Sequence, residues 1–334
     1  MTARRGGGPT MQDVGRLAQV SAMTVSRVLK DDPGVSEATR ERVFAAVDRL
    51  GYRRNQTARS LRLGGSGMIG LVVTNLANPF YSRLALGVQE VATEYGFRML
   101  LSNSDEQADR EPGLIDGLID HQVEGLIVVP SGSRQQHLAA AMRHVPVVLA
   151  ARPPAGLETD CVLVEDFHGA RGATACLLAE GHTRIAFLGN PPALYTGAER
   201  LRGFWAAHEE AGIEPENALI RQGLVDAATA EAATLDLLRG SAGPTALFCT
   251  NNRISQGAIR ALYKTGTTLP LAGFDDFDLS DVLGLPLTLV SYDADEIGRQ
   301  AARLLLDRLG LQDGDPPAPR RVTVPTRILR HGIA

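Results

Sequence analysis

From Thr10 to Leu63 the chain sets hydroxyl, amide and guanidinium side chains at the points where helices begin. That inventory suits holding an anion in register rather than breaking a bond. Thr10, with Asp13 three residues on, reads as a helix cap with a first-turn acid, and Val14, Leu17 and Ala18 mark the inward face of a helix ending near Gln19. Val20 plugs the turn, and Ser21 caps a second helix, Ala22 to Leu29, whose Val25, Val28 and Leu29 face inward. Ala22, Met23, Ser26 and Arg27 are left outside. After the loop Lys30 to Val35, Ser36 caps a third helix with Val43, Val47 and Leu50 inward and Gly51 as its stop. Thr10 to Lys30 is a helix-turn-helix pattern. Behind it, Asn55 can cap a helix of only about two turns, Gln56 to Arg62, which is too short to form without help because helix nucleation is costly.

Charge says what these groups hold. Residues 1–67 carry 12 Lys and Arg against 6 Asp and Glu, while the other 267 carry 22 against 32. A basic head on an acidic body attracts a polyanion at one end only. Anionic membrane fits that charge too, but no strongly apolar face accompanies the basic residues, so nucleic acid is the expected partner. No run approaches the roughly 18 apolar residues of a membrane span, and Met1 to Pro9 lacks the apolar stretch of a signal peptide. The expected compartment is the cytoplasm. Cys161, Cys176 and Cys249 have neither metal-knuckle nor redox-pair spacing and read as unpaired thiols.

The chemistry of covalent catalysis is missing from the pattern. His182 sits in a Gly-His-Thr-Arg corner between a helix and a strand, a structural position, and no Ser/His/Asp set, metal-ligand spacing or phosphate-cradling loop follows a strand. Gly65 to Gly70 matches G-x-G-x-x-G, but it opens a strand rather than a helix and reads as a junction. No cofactor, no metal and no enzyme activity are expected.

The elements of the body alternate. Apolar strands are expected at Ile69 to Val73, Phe97 to Ser102, Gly125 to Val129, Val145 to Ala150, Cys161 to Val164, Arg184 to Leu188, Ala218 to Gln222, Ala246 to Cys249, Leu271 to Gly273 and Leu287 to Val290. Helices fall between them, as at Tyr81 to Tyr95, Gly169 to Glu180, Gly197 to Ala211 and Ile254 to Lys264. That alternation means parallel sheets covered by helices, and so many strands divide more naturally into two α/β lobes than one open sheet. After a Pro-rich turn, Asp313 to Pro319, the chain returns as Arg321 to Leu329, with no terminal heptads.

The segment Val20 to Gly64 resembles the lactose/galactose repressor (LacI/GalR) family of bacterial transcription regulators almost position for position. The likeness continues through Asn78-Pro79-Phe80-Tyr81, Ser102 to Asp105, Val123 to Ile127, Gly181 to Ile185, Arg200 to Phe204 and Gly273 to Asp276. It implies an α/β protein with a small all-α helix-turn-helix head and a two-lobed, periplasmic-binding-protein-like effector domain. The implied boundaries are 1–52 for the head, 53–67 for the hinge helix and linker, and 68–334 for the effector and dimerisation domain, with lobe crossovers near 165, 292 and 323. The implied function is a repressor that binds a palindromic operator as a homodimer under control of a small sugar or sugar derivative. A sugar-binding module without regulatory DNA function is the alternative.

Site residues follow from the same resemblance. Ala22, Met23 and Arg27 would face base edges, Arg27 being able to pair bidentately with guanine. Thr10, Ser21, Thr24, Ser26, Ser36 and Asn55 would hold phosphates, each with a helix cap as the plainer reading. Ala58 and Arg59 belong to the hinge contacts, and Leu61 would wedge into the minor groove. The effector cleft would be lined by Phe80 and Tyr81 as stacking faces, with Arg152, Asp166, Thr196, Arg200, Asn251 and Asp275 as polar contacts. Arg200 and Asp275 would bracket adjacent hydroxyls, and Asp166 is either a pocket contact or a helix cap.

Several positions depart from the family pattern. Gln19 stands where a glycine usually accepts a positive φ, and Arg54 replaces a proline. Ala151 and Asn252 replace aspartates, and the chain is shortened before Gly273. Two acids lost with Arg152 and Arg200 kept favours an acidic sugar derivative or phosphosugar over a neutral sugar.

Overall fold

Thr10 begins the head as a reciprocal cap: its hydroxyl accepts from the Asp13 N–H, and the Asp13 carboxylate takes the Thr10 N–H at 2.9 Å. This computed structural model describes residues 9–28, 34–50, 65–310 and 318–332, in two units, Met1–Ser66 and Gly67–Ala334. In the first unit α1 (Met11–Ala18), α2 (Ala22–Val28) and α3 (Glu37–Leu50) surround Val14, Ala18, Val25, Val28, Val43 and Ala46. The Ser21 hydroxyl accepts from the Thr24 N–H at 3.0 Å and so caps α2.

One expected core residue is displaced. Leu17 is 40% exposed because the inner face of the two-turn α1 is set by Val14, Gly15 and Ala18, leaving Leu17 at its margin. Gln19 closes α1 with φ 55° and ψ 44°, the left-handed conformation that a glycine takes without cost. The expected end of α2 at Leu29, the stop at Gly51 and the hinge helix Gln56 to Arg62 lie outside the described residues.

The second unit is built in chain order from β1 (Met68–Val73), α4 (Pro79–Glu94), β2 (Arg98–Asn103), α5 (Glu111–Asp120), β3 (Leu126–Val128), α6 (Gln136–Ala141), β4 (Val147–Ala150) and β5 (Cys161–Val164). It continues through α7 (Asp166–Ala179), β6 (Ile185–Leu188), α8 (Tyr195–Glu210), β7 (Ile220–Arg221), α9 (Ala227–Arg239), β8 (Ala246–Cys249), α10 (Asn252–Thr265) and β9 (Leu271–Phe274). The last elements are β10 (Leu287–Ser291), α11 (Ala294–Arg308), β11 (Arg321–Val324) and β12 (Arg327–His331). Two six-stranded sheets result, in the orders β11-β5-β4-β3-β1-β2 and β12-β10-β9-β8-β6-β7. Among the described residues every pairing is parallel except β10 with β12.

Central strands such as β3, β4, β6 and β8 are buried throughout, because helices cover both faces, and this is why they read as unbroken apolar runs. The chain passes from one sheet to the other after β5, after β10 and between β11 and β12. The return expected from Arg321 to Leu329, with its crossover near 323, is two strands in different sheets, parted at Pro325, which has no N–H to continue a ladder. Ala218 to Gln222, expected as a strand, is a 3₁₀ turn, Asn217–Leu219, followed by the two-residue β7.

In the first lobe α4 and α11 cross with almost no side chain between them. A Cβ on Gly87 would overlap the Asp295 carbonyl, and one on Gly298 would overlap that of Leu84. This contact fixes the start of α4, which carries Asn78, Phe80 and Tyr81, against the segment leading in from Tyr292.

Candidate functional site

The carboxyl ends of the strands in both sheets face a common cleft, where parallel α/β sheets place their ligands. Its cavity, of about 550 Å³, is lined by residues that follow β1, β2 and β4 in one lobe and β6, β8, β9 and β10 in the other. Asn78 caps α4, accepting from the Phe80 N–H at 3.0 Å, and thereby points Phe80 and Tyr81 at the cleft. Phe80 packs edge-on against Tyr81 and Tyr292, at centroid distances of 4.8 and 5.9 Å, which makes an aromatic floor spanning the two lobes. Asn251 caps α10 through its Oδ1 and donates Nδ2 to Asn190 Oδ1 at 3.1 Å.

Both buried arginines of the cleft are committed to protein acceptors. Arg200 donates Nε to Asp166 Oδ1 at 2.7 Å, Nη2 approaches the same oxygen, and Nη1 donates to the Thr250 carbonyl. Its guanidinium also lies 3.8 Å from the Phe274 ring centroid. Arg152 donates Nη1 to the Pro130 carbonyl at 2.6 Å and Nη2 to both Glu106 oxygens at 3.0 Å. Glu106 also takes the Thr74 hydroxyl at 2.8 Å.

Burial pushes the Asp166 carboxyl up to about 6, against the pull of Arg200. It raises Asp275 too, whose Oδ1 accepts from the Tyr292 hydroxyl at 2.5 Å. Asp105, Glu106 and Ala151 hold φ of 58°, 56° and 61° at the cavity wall, left-handed backbone costing roughly 1–3 kcal/mol per residue. The Arg152–Glu106–Thr74 network and the Glu106 N–H, bonded to the Thr74 carbonyl at 2.9 Å, hold that corner in place.

Among the sequence-derived positions, Phe80, Tyr81, Arg152, Thr196, Arg200, Asn251 and Asp275 line the cavity. Asp166 does neither of the things expected of it. It is the first residue of α7, whose cap is Glu165, and its carboxylate stands behind Arg200 rather than at the cavity wall. On the arginine side of the expected Arg200–Asp275 bracket, Nε, Nη1 and Nη2 each already face Asp166 or Thr250, which leaves only the second hydrogens of Nη1 and Nη2 for a ligand hydroxyl. Asp105, Glu106, Asn190, Asp226, Arg253 and Tyr292 also line the cavity and were not singled out from the sequence. Asp226 carried a legible signal, a capping box with Thr229 at the start of α9.

On the head, Met23 is 76% exposed, Arg27 is exposed, and Ala22 and Thr24 are half-buried. Thr10, Ser21 and Ser36 are exposed, and each hydroxyl already meets a side chain one turn on: Asp13, Thr24 and Thr39. The Ser26 side chain and Asn55, Ala58, Arg59 and Leu61 lie outside the described residues. Among the described residues no helix is long and apolar enough to cross a membrane.

Comparison with known proteins gives two family matches. The model of bacterial regulatory proteins, lacI family, covers residues 10–55, and that of periplasmic binding proteins and the sugar binding domain of the LacI family covers residues 66–331. The HTH-type transcriptional regulator GalR of Escherichia coli is 34% identical over 331 residues, 97% of this chain and 96% of GalR. Among solved structures, the lac repressor dimer bound to operator and the anti-inducer ONPF aligns at TM-score 0.82 with 25% identity, covering 98% of this chain and 100% of the repressor chain. The transcriptional regulator CelR in complex with cellobiose aligns at 0.71 with 30% identity, covering 97% and 99%.

Proposed function

Because the chain belongs to the lacI family of bacterial regulatory proteins, we propose that it represses transcription as a homodimer on a two-fold symmetric operator, released or reinforced by a sugar-type effector in the cleft. The observation that carries the reading is the pairing of an exposed α2 face, with Met23 and Arg27 outermost, and a cavity walled by both lobes of the body. In the proposed division of labour, residues 1–52 read DNA, 53–67 form the hinge, and 68–334 bind effector and dimerise. Its place of action is the cytoplasm.

Arg27 reads guanine in the major groove, Ala22 and Met23 contact thymine methyls or exclude other bases, and Leu61 opens a minor-groove step. Thr10, Ser21, Thr24, Ser26, Ser36, Asn55, Ala58 and Arg59 fix the register on phosphates and groove walls. Control needs only that the effector favour one arrangement of the lobes over another and that the arrangement alter how paired hinges are offered to DNA. Selection of bound duplexes from a randomised pool tests the reading. The enriched sequences are expected to be inverted repeats, and Arg27→Ala is expected to relax one base position at a loss of roughly 1–3 kcal/mol. Enrichment of asymmetric sites would contradict the dimeric reading.

A further inference from the structure

The arginines that pointed from sequence toward an acidic ligand carry a different meaning once their partners are known. The cavity wall holds four acids, Asp105, Glu106, Asp226 and Asp275, against the arginines 152, 200 and 253. Arg152 is matched by Glu106, and Arg200 by Asp166, a further acid just behind the wall. Arg253 acts electrostatically on Asp226 at the start of α9. Asp275 faces the cavity with a tyrosine hydroxyl as its hydrogen-bond donor. An anion entering this cleft meets a wall of net negative charge whose two buried arginines are already paired, and it must shed its own hydration to enter.

A hydroxyl-rich neutral molecule meets the opposite situation. Asp275 and Asp105 bring carboxylate oxygens to the wall for hydroxyl donors, and the Asn251 amide, held by the Ile254 N–H at Oδ1 and by Asn190 at Nδ2, keeps a second Nδ2 hydrogen for a hydroxyl oxygen. The Phe80 ring, propped by Tyr81 and Tyr292, offers a flat apolar surface of the kind the C–H face of a sugar ring packs on. We propose that the cleft selects an uncharged sugar and discriminates against phosphorylated and carboxylated sugars, with the Glu106–Arg152 and Asp166–Arg200 pairs as the elements that set this preference. The proposal rests on the reading of the cleft as a sugar-type effector site.

Calorimetry on the full chain at neutral pH tests it, with glucose, galactose and cellobiose set against the phosphate monoesters and uronic acids of the same sugars. At least one neutral sugar is expected to bind, with its anionic counterparts weaker by about tenfold or more, the cost of desolvating a charge at a wall of net negative charge whose two buried arginines are already paired. Glu106→Gln, which releases Arg152, is expected to narrow that gap severalfold. An anionic sugar that binds more tightly than its neutral parent overturns the proposal and leaves the sugar-site reading standing. Binding of neither set removes the proposal together with the reading beneath it.

Discussion

Asn252, the first residue of α10 in one lobe, donates its Nδ2 to the Oδ1 of Asn78, the cap of α4 in the other, at 3.0 Å. Both side chains are buried, and Asn252 Oδ1 has no partner of its own among the described residues. The bond ties together the ends of the two helices that frame the cleft. Asn252→Ala removes the tie and also an orphaned acceptor, so global stability is expected to change by less than about 1 kcal/mol. The lobe arrangement loses its clasp, and affinity for the cleft ligand is expected to fall about three- to tenfold, the worth of one hydrogen bond. Urea unfolding and calorimetry on the same variant separate the two effects.

The Asp166–Arg200 pair predicts a pH dependence. Its folded value of about 6 lies above the ordinary 3.8, so the fold favours the protonated form. The stability this group contributes is therefore complete below about pH 4 and is lost as pH rises through about 6. Asp275, shifted in the same direction, and the lowered Glu111 and Asp160 change the total, so the readout is a difference. Wild type minus Asp166→Asn is expected to decline by up to about 3 kcal/mol between pH 4 and pH 7, measured by denaturant unfolding.

Gly298→Ala is expected to be costly although alanine is the better helix former. Its methyl would meet the Leu84 carbonyl on α4, a backbone atom that cannot step aside without moving the helix. A loss of about 1–3 kcal/mol is expected from overpacking, together with weakened cleft binding, since α4 positions Phe80 and Tyr81. Thermal unfolding with and without the cleft ligand reads both.

Gln19→Gly acts in the other direction. With φ at 55°, Gln19 carries a side chain where glycine fits without strain. The substitution is expected to stabilise the head by about 1 kcal/mol, read as slower amide hydrogen exchange of α1 in the full chain. The preferred DNA sequence is expected to stay the same, because the outward face of α2 is untouched.

These positions mark how far the sequence could be read. Cys161 to Val164 and Ala246 to Cys249 were placed to the residue, because short, fully buried parallel strands leave unbroken apolar runs between polar flanks. The end of β12 was hidden, since none of its residues is fully buried and its partner β10 lies roughly 40 residues upstream. Residue types at the cleft were legible, while their commitments were not. Arg152 is matched by an acid 46 positions away and Asn252 by an amide 174 positions away, and neither spacing leaves a periodic trace. Two acids missing from the family pattern beside Arg152 and Arg200 therefore favoured an acidic ligand, and the pairing of those arginines in space favours a neutral one.

The most direct measurement follows fluorescence anisotropy of a labelled duplex from the region upstream of the chain's own gene, beside a scrambled duplex, across a range of salt and with a saturating cleft ligand. The account predicts affinity for the first duplex at least about a thousandfold above the second. Both affinities should decline with salt, and the ligand should shift the specific affinity by about fivefold or more. Equal affinity for the two duplexes, or a specific affinity that a saturating cleft ligand leaves unmoved, would contradict it.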